Sequence, residues 1–174
     1  MAELGADSLR LYEMFMGPLT EMKPWDTKGI VGVRRFLEKV CGLQNQVSST
    51  KFQVSSIKSQ VSSEDDKKLD DKELQSKRLL HQTIKKVTDD IESLSFNTAI
   101  SQMMILVNAW RETPEITKAD FEPFLKILAP FAPHLGEEIW ENLGHSKSIF
   151  QEDWPRANPE LLKVDKITIA IQIN

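Results

Sequence analysis

The chain is poor in residues that specialised chemistries depend on, and each scarcity excludes a class of protein. It has one cysteine, Cys41, so no intrachain disulfide can form. A disulfide-stapled secreted scaffold is therefore excluded, and a reducing cytoplasmic location is the expectation. Its seven glycines are scattered and build no phosphate-cradling loop. No apolar run approaches the ~18 residues of a membrane span, and the N-terminus lacks the basic-then-apolar pattern of a signal peptide. No membrane partner is expected. The three histidines, His81, His134 and His145, form no cluster with ligand spacing. His134 and Glu138 share a helical face, but two ligands do not make a zinc site, so no metal is expected. Glu137 and Glu138 are adjacent and diverge by about 100° on a helix, which does not suit an acid–base pair. Cys41 falls on an apolar stripe and reads as inert core. No catalytic residue is assigned.

What is present is a soluble composition with uneven charge. Forty per cent of residues are hydrophobic and the net charge is −4, which suits one globular domain and argues against a wholly basic nucleic-acid module. Residues 1–43 carry six basic and six acidic groups, and residues 44–63 carry two lysines and no acid. Beyond residue 63 acids exceed bases. A surface for polyanions therefore belongs to the first half.

Periodicity predicts helices. Asp7 is a candidate N-cap for a helix through Met16, ended by Gly17-Pro18. Asp26 or Thr27 caps a second helix to about Leu43, with Ile30, Val33, Leu37, Val40 and Cys41 on one stripe. A long charged helix from Glu64 carries Leu80, Ile84, Val87, Ile91 and Leu94 inward, with Lys85 and Asp89 paired on its wet side. Asn97 caps a helix through Arg111 with almost no polar face, the expected centre of the molecule. Thr117 and Asp120 start the next helix in a capping-box-like manner, with Phe121, Phe124, Leu125 and Leu128 inward. Pro123 is expected to kink or delay it, and Pro130 stops it. Pro133 opens the last helix and Gly144 closes it. Pro155 and Pro159 mark a loop.

Two segments depart from this pattern. Gln-Val-Ser-Ser recurs at Gln46, Gln53 and Gln60, a seven-residue period. One apolar residue per heptad is too thin a seam for a coiled coil, so residues 44–63 read as an exposed insertion, either a helical extension or partly extended. From Lys166 to Asn174, Ile167, Ile169, Ile171 and Ile173 alternate with smaller or polar residues, which is a strand pattern. The fold class is all-α: an antiparallel helical bundle with a short C-terminal β-strand.

Three blocks of text add a family resemblance. The first runs from Gly5 through Asp7-Ser8-Leu9-Arg10-Leu11-Tyr12-Glu13-Met14-Phe15-Met16-Gly17-Pro18 to Lys23-Pro24-Trp25. The second is Thr83 to Glu92 with Phe96-Asn97-Thr98-Ala99-Ile100. The third is Leu128-Ala129-Pro130-Phe131-Ala132-Pro133-His134-Leu135-Gly136-Glu137-Glu138-Ile139-Trp140. Together they resemble the C-terminal part of bacterial-type leucyl-tRNA synthetases, class I enzymes. The resemblance covers nearly the whole chain outside residues 44–78.

It implies that residues 1–20 end a catalytic core, 21–160 form an anticodon-binding-type bundle, and 161–174 lead into a further domain. The family's HIGH and KMSKS signatures do not occur in this sequence. The resemblance thus implies a fragment, inactive alone, of a leucine–tRNA ligase that uses ATP and Mg, with no cofactor in the fragment itself. Its implied partners are leucine tRNA and the catalytic and C-terminal domains of the same parent chain, in a monomer. In that family the bundle lies along the L-shaped body of the tRNA, and anticodon reading is not relied on.

The candidate tRNA-binding residues are Arg35, Lys39, Lys28, Arg34 and Trp25. Lys28, Arg35 and Lys39 share one helical face with Gly32, whose small size admits a bulky backbone. Taken alone, such a face is ordinarily a solvated one balanced by Glu38; the resemblance favours RNA. Arg35 stands in the Arg35-Phe36-Leu37 text that best matches the family. Arg34 lies nearer the buried stripe, which points to a structural role. Trp25 could stack on a nucleotide, but plugging the top of the bundle is the commoner use of such an aromatic. The rival reading is a helical protein-interaction module without RNA binding, supported by the acidic balance and the long charged helix.

Overall fold

A computed structural model describes residues 5–26, 28–49, 64–112 and 116–163. Six helices follow in order: α1 Ala6–Phe15, α2 Gly29–Ser49, α3 Glu64–Glu92, α4 Phe96–Arg111, α5 Lys118–Leu128 and α6 Pro133–Asn142. A 3₁₀ turn, Ile149–Gln151, comes after them. The described residues are helical, as the apolar spacing requires. The strand expected at 166–173 and the second and third Gln-Val-Ser-Ser repeats lie outside the described residues. No helix among the described residues is long and apolar enough to cross a membrane.

Lateral contacts fix the antiparallel arrangement. Between α3 and α4, Thr98 bonds Asp90, Gln102 bonds Thr83, and the Trp110 indole bonds Ser76. One residue number rises as the other falls. The hairpin turn closes the end of α3 with bonds from Leu94 N–H to the Ile91 carbonyl and from Ser95 N–H to the Asp90 carbonyl at 2.7 Å. That geometry puts Leu94 at φ 58°, a left-handed position that glycine normally fills. Leu94 therefore leaves the buried stripe on which the sequence places it and is 58% exposed. Because the chain turns back into helix at once, α4 begins after Ser95, and Asn97 sits in its first turn rather than capping it.

α4 packs against α1, α2 and α3 and buries Ala99, Ile100, Met103, Leu106, Val107 and Trp110, the central helix its sequence predicts. Trp110 meets Phe121 and Phe124 of α5 at ring distances of 6.3 and 5.3 Å. The Thr117 hydroxyl accepts from Asp120 N–H and starts α5. Pro123 neither delays nor interrupts that helix. It removes one ladder bond, and a face of five buried residues carries the helix onward. At Gly136 a Cβ would stand 3.2 Å from Ala129 Cα, so its absence lets α5 and α6 approach closely. Gly144, at φ 93°, follows the end of α6.

Two helix ends differ from expectation. α2 continues through Ser49, taking in the first Gln-Val-Ser-Ser repeat, because Leu43 and Val47 extend the buried stripe at 1% and 4% exposure. Asp7 does not cap α1, which follows Gly5 without a side-chain cap. Its buried carboxylate reaches across the molecule to the start of α6 instead. It accepts from Leu135 N–H at 2.8 Å and His134 N–H at 3.4 Å, and meets His134 Nδ1 at 2.8 Å. One turn on, the Arg10 guanidinium donates twice to the Pro130 carbonyl, at 3.1 and 3.0 Å. Acid and base thus grip the two helix ends that meet at the α5–α6 turn, each opposite in sign to the dipole it faces.

Candidate nucleic-acid interface

The α2 sequence divides into two faces. Ile30, Val33, Leu37, Val40, Leu43 and Val47 go inward. Arg35, Lys39, Gly42 and Gln46, at spacings of four, three and four, form the other side and line a surface cleft of about 440 Å³. Leu43 contributes to its floor, Glu38 to its edge, and Arg111 joins from the end of α4. A Cβ on Gly42 would meet no atom within 4 Å, so the middle of the cleft is open to a bulky ligand.

The cations of this cleft differ from those held in ion pairs elsewhere in the molecule. Lys23, Arg34, Lys77, Lys85, Lys86, Lys118 and Lys126 each stand within 4 Å of a carboxylate. Around the cleft, Lys39 donates to the neutral Asn108 amide oxygen at 2.7 Å. Arg35 and Arg111 make no ion pair among the described residues. Their forked donors remain available, and a guanidinium presents them in the geometry a phosphate accepts. The cleft can therefore hold an extended polyanion.

The five candidates taken from the sequence separate accordingly. Arg35 and Lys39 come together. Lys28 is exposed just before α2 begins, seven residues ahead of Arg35 and outside the cleft lining. Arg34 turns to the other flank, where its Nε donates to Glu38 Oε1 at 3.0 Å. Trp25 does not plug the bundle: it is 45% exposed. Its ring stands edge-on to Tyr12, with centroids 5.1 Å apart. Tyr12 takes the inner position, its hydroxyl donating to the Asp26 carbonyl and accepting from Asp26 N–H. Gly29 makes room for that ring, since a Cβ there would lie 2.6 Å from Tyr12 Cε2. The Asp26 carboxylate in turn accepts from Lys28 N–H at the start of α2, as expected of a cap.

Gly42 was legible as a later member of the α2 face, whereas Gln46 lay beyond the expected helix end near Leu43 and joins the face because α2 continues through Ser49. Arg111 carried no sequence signal of a role in the cleft, because its place there depends on how α4 crosses α2.

A second cleft, of about 360 Å³, lies on the opposite flank of α2, between α1 and α6. Cys41 lines it and is half-buried rather than core. Burial, with the Glu138 carboxylate adding to it, pushes the thiol above its ordinary range, which keeps it protonated and a poor nucleophile. Among the described residues no group of three side chains is placed to bind a metal.

Comparison with known proteins gives the arrangement a context. The chain is 46% identical to the leucine–tRNA ligase of Borrelia turicatae over 176 residues, covering 99% of this chain and 18% of that protein. It is 43% identical to the leucine–tRNA ligase of Chlorobaculum parvum over 175 residues, covering 100% of this chain and 20% of that one. It thus spans about a fifth of the length of these relatives. Among solved structures, the agnB2 LeuRS of Agrobacterium radiobacter K84, in a ternary complex with tRNA and LeuAMS, matches with a TM-score of 0.73 and 31% identity. That match covers 94% of this chain and 21% of the other. A model of the anticodon-binding domain of tRNA ligase matches residues 76–174. With more than half of its length matched in this way, the chain belongs to the family of anticodon-binding domains of tRNA ligases.

Proposed function

We propose that this chain is the tRNA-docking bundle of a leucine–tRNA ligase. It holds the body of leucine tRNA through phosphate contacts while a catalytic domain attaches leucine in an ATP- and Mg-dependent reaction. The observation that carries the reading is that three cations without a carboxylate partner among the described residues, Arg35, Lys39 and Arg111, come together from two helices in one open cleft. Contacts of this kind position RNA without reading its sequence. Lys28 and Trp25, both exposed just before α2, are proposed to extend the surface toward the start of that helix. Neither the HIGH nor the KMSKS signature occurs in the sequence. The chain is accordingly given binding and positioning, not the chemical step. We place the ligase in the cytoplasm, acting as a monomer, with the catalytic and C-terminal domains as neighbours of this bundle. The alternating segment 166–173 is proposed as a strand leading to the latter.

The test is binding of this chain to a leucine tRNA transcript and to an unrelated tRNA across a salt series, with Arg35→Ala and Arg111→Ala alongside. Affinity should fall linearly with salt on logarithmic axes, and each variant should lower the slope by about 0.7–0.9. Weak, salt-insensitive binding, or a slope that neither variant changes, would refute the cleft and favour the protein-interaction reading.

A further inference from the structure

The α2 cleft has an acid at its edge. Glu38 lines both the cationic cleft and the opposite one, so its carboxylate sits on the ridge between them. A free carboxylate there would repel a phosphodiester backbone held by Arg35 and Lys39, its neighbours at three positions before and one after. It is not free, because Arg34 Nε donates to Glu38 Oε1 at 3.0 Å. Arg34 lines only the opposite cleft. The two side chains are 41% and 58% exposed, so the pair contributes little to stability. Its effect is on the field in the cleft rather than on the fold.

We infer that Arg34 is a positioning residue for RNA: it holds and neutralises Glu38 on the far side of the ridge, and does not itself contact phosphate. Glu38 is then a negative element that tunes how tightly the cleft holds its ligand, with Arg34 setting its strength. This rests on the RNA reading proposed above. It separates two arginines that adjoin in sequence: Arg35 as a phosphate ligand, Arg34 as the residue that masks an acid.

A double-mutant cycle tests it, using the full 174-residue chain and the leucine tRNA transcript as probe. Arg34→Gln should weaken binding about threefold at low salt, the size expected of one uncovered charge several ångströms from the phosphates in a water-like dielectric. It should leave the salt slope unchanged, because no phosphate contact is lost, whereas Arg35→Gln should lower the slope. In a Glu38→Gln background, Arg34→Gln should weaken binding markedly less, since there is no acid left to hold and mask and only the remote charge of Arg34 is lost. Arg34→Lys should retain wild-type affinity. Thermal denaturation of each variant should remain near wild type, which excludes a folding cause.

The inference is overturned if Arg34→Gln weakens binding equally in both backgrounds, or lowers the salt slope, for then Arg34 is itself a phosphate ligand. If Arg35→Gln and Arg111→Gln also leave binding unchanged, or the chain binds no RNA at low salt, the reading of the cleft falls and this inference with it.

Discussion

Replacing Asp7 with alanine should destabilise the chain well beyond what an exposed acid would. The carboxylate is 9% exposed. It closes the start of α6 through Leu135 N–H at 2.8 Å and His134 N–H at 3.4 Å. Ala132, at the N-cap position of α6, offers no side-chain cap of its own. Loss of a capping acceptor costs about 0.5–2 kcal/mol. A negative charge at a partly buried helix N-terminus contributes up to about 2 kcal/mol. These effects overlap, so the expected loss is about 2–3 kcal/mol, or roughly 5–10 °C in Tm for a chain of this size. Asp7→Asn keeps an acceptor and loses the charge, and should fall between. Urea denaturation gives the totals, and amide exchange at Leu135 localises the effect. A change below about 0.5 kcal/mol with unchanged exchange at Leu135 would show that the contact does not hold α1 to the α5–α6 turn.

Two further outcomes follow from local geometry. Leu94→Gly should stabilise the chain by about 1 kcal/mol in the same denaturation assay, because the left-handed turn strains any side chain and an exposed leucine loses little burial. A loss of stability would mean that Leu94 packs where its exposure says it does not. His81 accepts at Nδ1 from Asn158 N–H at 3.1 Å and so holds the segment after Trp154 against α3. Burial lowers its pKa below the usual 6.5, partly offset by Asp120. The folded chain binds fewer protons than the unfolded one, so this contribution is complete above about 6.5 and is lost as pH falls through the lower folded value. Stability should drop from pH 7.5 to 5.5 less steeply in His81→Gln than in wild type. Equal slopes would remove His81 as a source of acid sensitivity.

Helices were the legible part of this protein because their signals are local. The stripe on α4, the Thr117 cap, the Lys85–Asp89 pair and the end at Gly144 all depend on residues within a turn or two of one another. The same period placed Arg35 and Lys39 on one outward face and reaches Gly42, while Gln46 joins that face only because α2 runs past its expected end. Local reasoning failed where two distant segments compete for a group. Asp7 looked like a cap for its own helix, but α6 begins with N–H groups that need an acceptor, and a contact 127 residues away supplies it. Tyr12 took the inner position that Trp25 was expected to fill.

The amino-acid sequence by itself determined which stretches are helical, apart from the run of α2 beyond Leu43, which face of each is apolar, and the family text they carry. Periodicity and capping act over a few residues and need no partner. Only the tertiary structure decided that Arg111 completes the cleft, that Arg34 turns away to Glu38, and that Asp7 and Arg10 grip the α5–α6 turn. Except for the Arg34–Glu38 pair, which lies within α2, each depends on where a second helix passes. That position is set by close packing of the joint core, as at Gly136 against Ala129, which no single segment encodes.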